Sequence, residues 1–199
     1  MTYLKSLVIA GAMACAATAV VAGEKWTIDT SASSISFGSI KNDAVGESHN
    51  FSGVSGSIDA DGAVALEIDL TSVQTNVDIR NERMQEFVFK NIPKASIAAE
   101  VDMEEVNALK VGETAVTDAF GTLNLLGNEV DVDASLFVMR LTEDKVLVTT
   151  DGMAMLNVSD AGINAGIDKL QELAGLDSIT RVSPVTMRLI FTNKGDGQS

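Results

Sequence analysis

Side chains that could carry acid–base or nucleophilic chemistry are sparse in this sequence. The 199 residues contain one His, His49, and one Cys, Cys15. A Ser-His-Asp triad would have to use His49, which lies beside Asn50 in a polar stretch before Phe51. We therefore interpret His49 as a surface or pocket-rim histidine, and we predict no catalytic residue.

Carboxylates are plentiful, but their spacing does not indicate a paired acid–base site. Asp131 and Asp133 alternate with apolar residues, as do Glu67 and Asp69. In a strand, residues two apart lie on the same face. The pairs are therefore expected on the solvated face of a sheet and not in a buried site.

The same inventory indicates neither a metal site nor a cofactor site. A zinc or copper site of the usual kind needs several His or Cys ligands, and this chain has one of each. Asp59 and Asp61 lie in a predicted turn that lacks the closing Glu of a calcium loop. No phosphate-binding loop and no dinucleotide fingerprint is present, so we predict no metal and no cofactor.

The charge balance limits the classes of partner. The chain carries 28 acidic and 14 basic residues, a formal net charge of −14. Nucleic-acid binding needs a basic patch, and attraction to anionic membranes needs positive charge as well. We expect neither, and we interpret the acidity as a means of solubility.

The first 22 residues have the features of a cleavable signal peptide. Lys5 supplies a positive start, an apolar run extends from Leu7 to Val21, and Ala22 suits cleavage before Gly23. We therefore predict a secreted protein with a signal peptide over 1–22 and a single domain over 23–199. Cleavage would also remove Cys15 and, with it, any thiol chemistry.

Strand-type alternation dominates the rest of the chain. Val64, Leu66, Ile68 and Leu70 alternate with small or acidic residues after a predicted hairpin turn at 59–62. Similar alternation recurs over 97–103, 130–138, 146–148 and 185–191. Many strands with short connections indicate a barrel or a sandwich.

Two stretches depart from this alternation. The charged run from Arg80 to Arg83 leads into Met84, Phe87 and Phe89, and it predicts a short helix between two strands. The second stretch has apolar residues at helical spacing over 163–174, followed by Gly175 as a C-cap. This second helix could plug a barrel end, pack outside it or contact a ligand.

The predicted interior contains small and flexible side chains. Met103, Met153 and Met187 fall on predicted strands beside Ala and Val. Met adapts to irregular apolar space, and a closed barrel of about eight strands can hold one ligand. Ordinary core packing would use the same residues.

Three segments in order resemble the YceI-like family. They are WTIDTSASSISFGSIK, FSGVSGSI and EIDLTSVQTNVDIRNERMQEFVF, followed by a Pro-Ala step, and the resemblance extends from Trp26 to Phe191. It implies a periplasmic, lipocalin-like antiparallel barrel, all-β apart from one or two short helices at its ends. It also implies that long isoprenoids or other amphiphilic lipids bind in an elongated internal pocket.

The resemblance also implies a helix at the barrel mouth, with Met84, Phe87 and Phe89 turned inward and Arg80 at the rim. A helix that merely closes the barrel would have the same composition. The complete predicted ligand-binding set is Phe37, Phe51, Arg80, Met84, Phe87, Phe89, Met103 and Met153.

The function that follows is a periplasmic carrier or reservoir for an isoprenoid-type lipid, with a quinone as one candidate. No covalent chemistry is expected. Two alternatives stay open: an enzyme acting on an apolar small molecule inside the barrel, and a protein-interaction scaffold without a ligand. The barrel edges and rim could also support a homodimer.

Overall fold

A computed structural model describes residues 25–193; the predicted signal peptide and the tail from 194 lie outside this range. Thirteen strands form one antiparallel sheet. They are β1 (Trp26–Ile28), β2 (Ser34–Lys41), β3 (Val45–Phe51), β4 (Val54–Ile58), β5 (Ala63–Asp69), β6 (Val73–Gln74), β7 (Lys94–Glu100), β8 (Thr114–Leu125), β9 (Asn128–Asp131), β10 (Ala134–Thr142), β11 (Lys145–Thr150), β12 (Ala154–Asn157) and β13 (Val182–Asn193).

The helical segments are short and lie in the connections between strands. They are α1 (Asp78–Arg83), a π-helix (Met84–Val88) that continues it, α2 (Met103–Ala108) and α3 (Asn164–Ala174), with 3₁₀ turns at Thr30–Ala32 and Leu70–Ser72. Among residues 25–193, no helix is both long and apolar enough to cross a membrane.

The sheet closes on itself through β1, which pairs with both β4 and β13. The resulting ring has eight strands in the order β1-β4-β5-β7-β8-β10-β11-β13. Strands β2, β3 and β6 extend from β13 and widen the wall on one side. The closed antiparallel barrel predicted from the sequence is confirmed.

Along each strand, side chains alternate between the inner and the outer face of the barrel wall. In β5, Leu66 and Ile68 are buried inside the barrel, while Glu67 lies on the outer face between them. β5 pairs with β4 through the predicted hairpin, with Val54 opposite Ile68. Burying one face of each strand fixes this register, because a shift of one residue would expose every apolar side chain.

Two predicted strands are interrupted. The alternation over 97–103 continues only to Glu100, and Met103 begins α2 because the Asp102 carboxylate caps that helix by accepting a hydrogen bond from the Glu104 N–H at 2.8 Å. The alternation over 130–138 is divided between β9 and β10. Local capping and turns override the two-residue period at these positions.

One end of the barrel, which we call the closed end, is filled by α2, Trp26 and Arg140. The Arg140 side chain is 7% exposed, and its guanidinium carbon lies 5.0 Å from the centre of the Trp26 ring. It donates hydrogen bonds to the carbonyls of Val106 and Glu143, at 3.0 and 3.2 Å. These contacts offset the cost of burying the charge.

The opposite end, which we call the mouth, is covered by helices. α1 and the π-helix connect β6 to β7, and α3 connects β12 to β13. A side chain at Gly166 would place its Cβ 2.5 Å from the Phe87 carbonyl oxygen. Glycine at this position therefore lets the backbone of α3 lie directly against the π-helix. Gly175 ends α3 in the left-handed conformation, as predicted.

Candidate ligand-binding cavity

The barrel encloses an apolar cavity of about 310 Å³. Its wall consists of inward-facing side chains from most of the strands, including Leu66, Ile97, Leu123, Leu136 and Leu189. Polar side chains, among them Ser39, Thr150 and Ser183, are a minority of the lining residues. Chemically, the wall suits a ligand that is itself largely hydrocarbon.

Three aromatic rings form a continuous strip along this wall. Phe37 on β2 and Phe51 on β3 have ring centres 5.2 Å apart and nearly parallel planes. Phe89, just after the π-helix, approaches Phe51 at 5.8 Å. All three line the cavity, so the strip connects the barrel wall to the helical cover of the mouth.

The π-helix determines which of its side chains reach the cavity. The Phe89 N–H donates a hydrogen bond to the Met84 carbonyl, five residues earlier, at 2.9 Å. This wider turn brings Met84, Val88 and Phe89 to the cavity. Phe87 is only partly buried and is rotated out of the cavity wall.

The second helix also contributes to the wall. Ile163 and Ile167 at the start of α3, and Ile179 after it, line the cavity. The segment after α3 is fixed to the tip of the β2–β3 hairpin: the Thr180 N–H donates to the Ile40 carbonyl at 2.9 Å. The sequence allowed this helix to plug a barrel end, to pack outside the barrel or to contact a ligand. In the structure, its first turn lies against the cavity.

The structure brings half of the predicted binding residues together. Phe37, Phe51, Met84 and Phe89 all line the cavity, although contact with a ligand stays a prediction.

The other four predicted residues do not line the cavity. Phe87 is rotated away by the π-helical turn, as described above. Met103 is buried near α2 at the closed end, because the strand predicted to carry it ends earlier. Met153 is 67% exposed in the turn before β12. Arg80 is bonded to a carboxylate at the mouth.

Arg80 belongs to a polar cluster at the mouth. Its guanidinium donates to the Glu47 carboxylate at 2.7 Å and to the Thr75 carbonyl at 2.8 Å. Lys41 reaches the other oxygen of Glu47 at 3.0 Å. Burial opposes ionisation of Glu47, but the hydrogen bonds from Arg80 and Lys41 outweigh it and hold the pKa of this carboxyl below its usual value.

His49 is buried on β3 beside this cluster, whereas the sequence suggested a surface or pocket-rim histidine in a polar stretch. It is 6% exposed, and its Nε2 lies 3.2 Å from the Ser39 hydroxyl. Burial, and next the positive charge of Arg80, lower the pKa of His49. Its place on β3, two residues before the inward-facing Phe51, was the available signal, because residues two apart share a face.

Among residues 25–193, these groups do not form a recognisable catalytic set. The Nδ1 atom of His49 has no hydrogen-bond partner there, so no carboxylate orients the ring as a triad requires. No three His, Cys, Asp or Glu side chains in this range cluster as metal ligands would. Asp131 and Asp133 are exposed, as expected, but they also border the cavity, because the link between β9 and β10 passes beside it.

Comparisons with known proteins agree with this architecture. The model of the YceI-like domain matches residues 26–189. A polyisoprenoid binding domain from Saccharophagus degradans, implicated in plant cell wall breakdown, is 34% identical, with a TM-score of 0.81 over 84% of this chain and 98% of that one.

A second solved structure, BcnA from Burkholderia cenocepacia, shares the fold at 16% identity. Its TM-score is 0.62 over 82% of this chain and 98% of that one. The comparison with curated proteins returned no significant match. The family model spans nearly all of the described residues, and the chain therefore belongs to the YceI-like family.

Proposed function

We propose that this protein binds a long-chain isoprenoid, or a similar amphiphilic lipid, inside its barrel and carries or stores it in the periplasm. The observation that carries the proposal is the apolar cavity, closed at one end by α2, Trp26 and Arg140 and bordered at the other by two helices. The chain is also 34% identical to a polyisoprenoid binding domain, and this similarity supports an isoprenoid as the ligand.

The energetics suit a hydrocarbon chain. Each Å² of apolar surface removed from water contributes about 25 cal/mol, and a polyprenyl chain offers several hundred Å² along its length. The aliphatic wall and the strip of Phe37, Phe51 and Phe89 supply the matching surface. Such binding needs no covalent step, and we propose that the ligand leaves the barrel chemically unchanged.

The periplasmic location rests on the sequence of residues 1–22. A charged start, an apolar core and a small residue before the cleavage site are the features of a secretory leader. N-terminal analysis of protein exported by its native host is expected to return Gly23 as the first residue. A lipidated Cys15 at the N-terminus would contradict cleavage before Gly23, and an intact leader on the exported protein would contradict the signal peptide.

The lipid proposal is tested by native mass spectrometry of the purified protein, followed by extraction and identification of what co-purifies. We expect an isoprenoid-type lipid whose mass is unchanged after incubation with the protein. A chemically altered lipid would favour the enzyme alternative. The absence of any bound lipid, together with failure of the stripped protein to bind geranylgeraniol, would favour the scaffold alternative.

A matched pair of variants separates the cavity from the outer wall. Ala99 lines the cavity, and Ala98, its neighbour on β7, is exposed on the outer face. Ala99→Leu fills part of the cavity and is expected to weaken geranylgeraniol binding, while Ala98→Leu leaves it unchanged. Equal effects from both variants would mean that the ligand binds elsewhere.

A further inference from the structure

One side of the barrel wall has a gap in its hydrogen bonding, between β9 and β12. Along one edge of β8, β10 is followed by β9, and along one edge of β13, β11 is followed by β12. β10 and β11 pair with each other. Among the residues that the structure describes, β9 pairs only with β8, and β12 pairs only with β13. The facing edges of β9 and β12 therefore carry no backbone pairing that would close the wall between them.

The cavity reaches the protein surface at this gap. Only alternate residues of a strand face the inside of a closed wall, yet residues 131–134 all line the cavity, and so do residues 154–156. Asp131 and Asp133 are exposed, and Met155 is 63% exposed. Residues that border the interior and are also open to solvent mark the edge of an opening. We call this gap, bordered by 131–134 and 154–156, the side opening.

Hydrogen bonds define both ends of the side opening. Toward the mouth, the Asn128 side chain donates to the Ala161 carbonyl, in the segment before α3, at 3.4 Å. Toward the closed end, the Asp151 N–H donates to the Ser135 carbonyl at 2.8 Å. The side opening is therefore a framed part of the wall, separate from the contact between the helices at Gly166.

The chemistry of the side opening differs from that of the aliphatic wall. Asp131 and Asp133 carry carboxylates, and neither forms a salt bridge within residues 25–193. Met155 adds a flexible apolar side chain that can adapt to a hydrocarbon surface. A polar end group buried deep in the cavity would lose its hydrogen bonds to water. At the side opening, the same group stays in contact with water.

We propose that the polar end of the bound isoprenoid lies in the side opening, where Asp131 and Asp133 select an uncharged end group over a phosphate. The inference rests on the proposed function, since it assigns the polar end of the same ligand. The hydrocarbon tail fills the cavity, and Met155 contacts the part of the chain next to the polar end. Two carboxylates without a cation repel a phosphate, whereas a hydroxyl carries no charge to repel.

The first test locates the end of the ligand by thiol labelling. In a Cys15→Ser background, which removes the only native cysteine, Met155→Cys and Met153→Cys each introduce one thiol. Met153 is 67% exposed and does not line the cavity, so it is the matched control. Saturating geranylgeraniol is expected to slow the reaction of iodoacetamide with Met155→Cys several-fold and to leave Met153→Cys unchanged.

The second test measures charge selection with geranylgeraniol and its monophosphate. The wild-type protein is expected to bind the alcohol more tightly. In Asp131→Asn/Asp133→Asn, the ratio of monophosphate to alcohol affinity is expected to rise roughly fivefold, and added salt should reduce this difference. Glu104→Gln/Glu105→Gln removes two exposed charges from α2 at the closed end. This control is expected to leave the ratio unchanged.

The outcomes distinguish this inference from the lipid-binding proposal. If geranylgeraniol binds without slowing the labelling of Met155→Cys, or slows both thiols equally, the position in the side opening is wrong and lipid binding stands. Charge selection is overturned if the wild-type protein prefers the monophosphate, or if the two double variants change the affinity ratio alike. If neither ligand binds the stripped wild-type protein, both proposals fail together.

Discussion

At the scale of single residues, His49 is the informative position, because it is the only histidine and it is buried. Burial, aided by the positive charges of Arg80 and Lys41 and opposed by Glu47, lowers its pKa in the folded protein below the ordinary value of 6.5. The unfolded chain therefore takes up a proton first as the pH falls. Stability is complete above about pH 6.5 and is lost as the pH decreases toward the folded-state pKa.

This predicts a lower urea midpoint at about pH 5.5 than at about pH 7.5 for the wild-type protein. The decrease is expected to be smaller in His49→Gln, which has no proton to take up. Glu47 is not expected to contribute to the difference between the two midpoints, because its lowered pKa keeps its carboxylate ionised at both pH values. Parallel decreases in both proteins would show that another group controls the acid sensitivity.

Two phenylalanines on the same turn provide a second prediction. Phe89 lines the cavity against Phe51, and Phe87 does not line it. Phe89→Ala is expected to weaken geranylgeraniol binding by about 1–3 kcal/mol, the usual value of a buried aromatic contact, and Phe87→Ala by much less. Affinities measured for both stripped variants check this. A larger loss with Phe87→Ala would mean that the π-helical turn differs when a ligand is bound.

At the scale of elements, the contact between α3 and the π-helix forms the cover of the mouth. A methyl group at Gly166 would meet the Phe87 carbonyl oxygen at 2.5 Å and the Val88 Cα at 2.6 Å. Both are backbone atoms and neither can rotate away. The two helices can therefore accommodate a larger residue only by moving apart.

Gly166→Ala is accordingly expected to destabilise the protein by about 1–3 kcal/mol through overpacking. It is also expected to speed ligand release, since the cover is displaced. Ala165→Leu, at the exposed neighbouring position, provides the control and should change neither quantity. Urea denaturation and stopped-flow release of a fluorescent polyprenyl analogue measure the two effects. Unchanged release with lowered stability would mean that ligands do not pass between these helices.

Sequence patterns predicted the regular strands better than the caps, turns and helical segments that interrupt them. The alternation around Ile68 correctly predicted an inward-facing strand, because burial of one face imposes a period of two. The alternation could not distinguish core from cavity: the same pattern suits both, and Ile68 is a buried residue that also lines the cavity. Whether an inward side chain meets another side chain or open space depends on the facing strands, and no local pattern encodes that distance.

The predicted binding residues that lie away from the cavity do so for local reasons of the same kind. The Asp102 cap ended the strand expected to carry Met103, and a turn with Gly152 at a φ of 112° left Met153 outside the barrel. In the π-helix the backbone hydrogen bond spans five residues instead of four, and Val88 lines the cavity where Phe87 was expected. Such one-residue shifts depend on tertiary contacts, whereas the aromatic residues on regular strands, Phe37 and Phe51, lie in the cavity wall.

At the scale of the whole molecule, the two barrel ends are built for different purposes. Arg140 and Trp26 fill the closed end with buried, hydrogen-bonded contacts. The mouth is covered by helices that lie outside the hydrogen-bonded sheet and pack against each other at Gly166. Local opening is expected where few contacts must break, so ligand exchange at the mouth costs less than unfolding of the barrel.

The cavity exists only in the folded barrel. A ligand bound in it is therefore expected to stabilise the folded protein against unfolding. A ligand that binds only the folded state raises the free energy of unfolding by about 2.7 kcal/mol when its free concentration is about 100 times the dissociation constant. The urea midpoint of the stripped protein is therefore expected to rise with the logarithm of geranylgeraniol concentration. Ala98→Leu, altered only on the outer face, should show the same rise. Ala99→Leu should show a smaller one, because its side chain occupies part of the cavity. A midpoint that stays constant as ligand is added would mean that the folded barrel does not take the lipid inside.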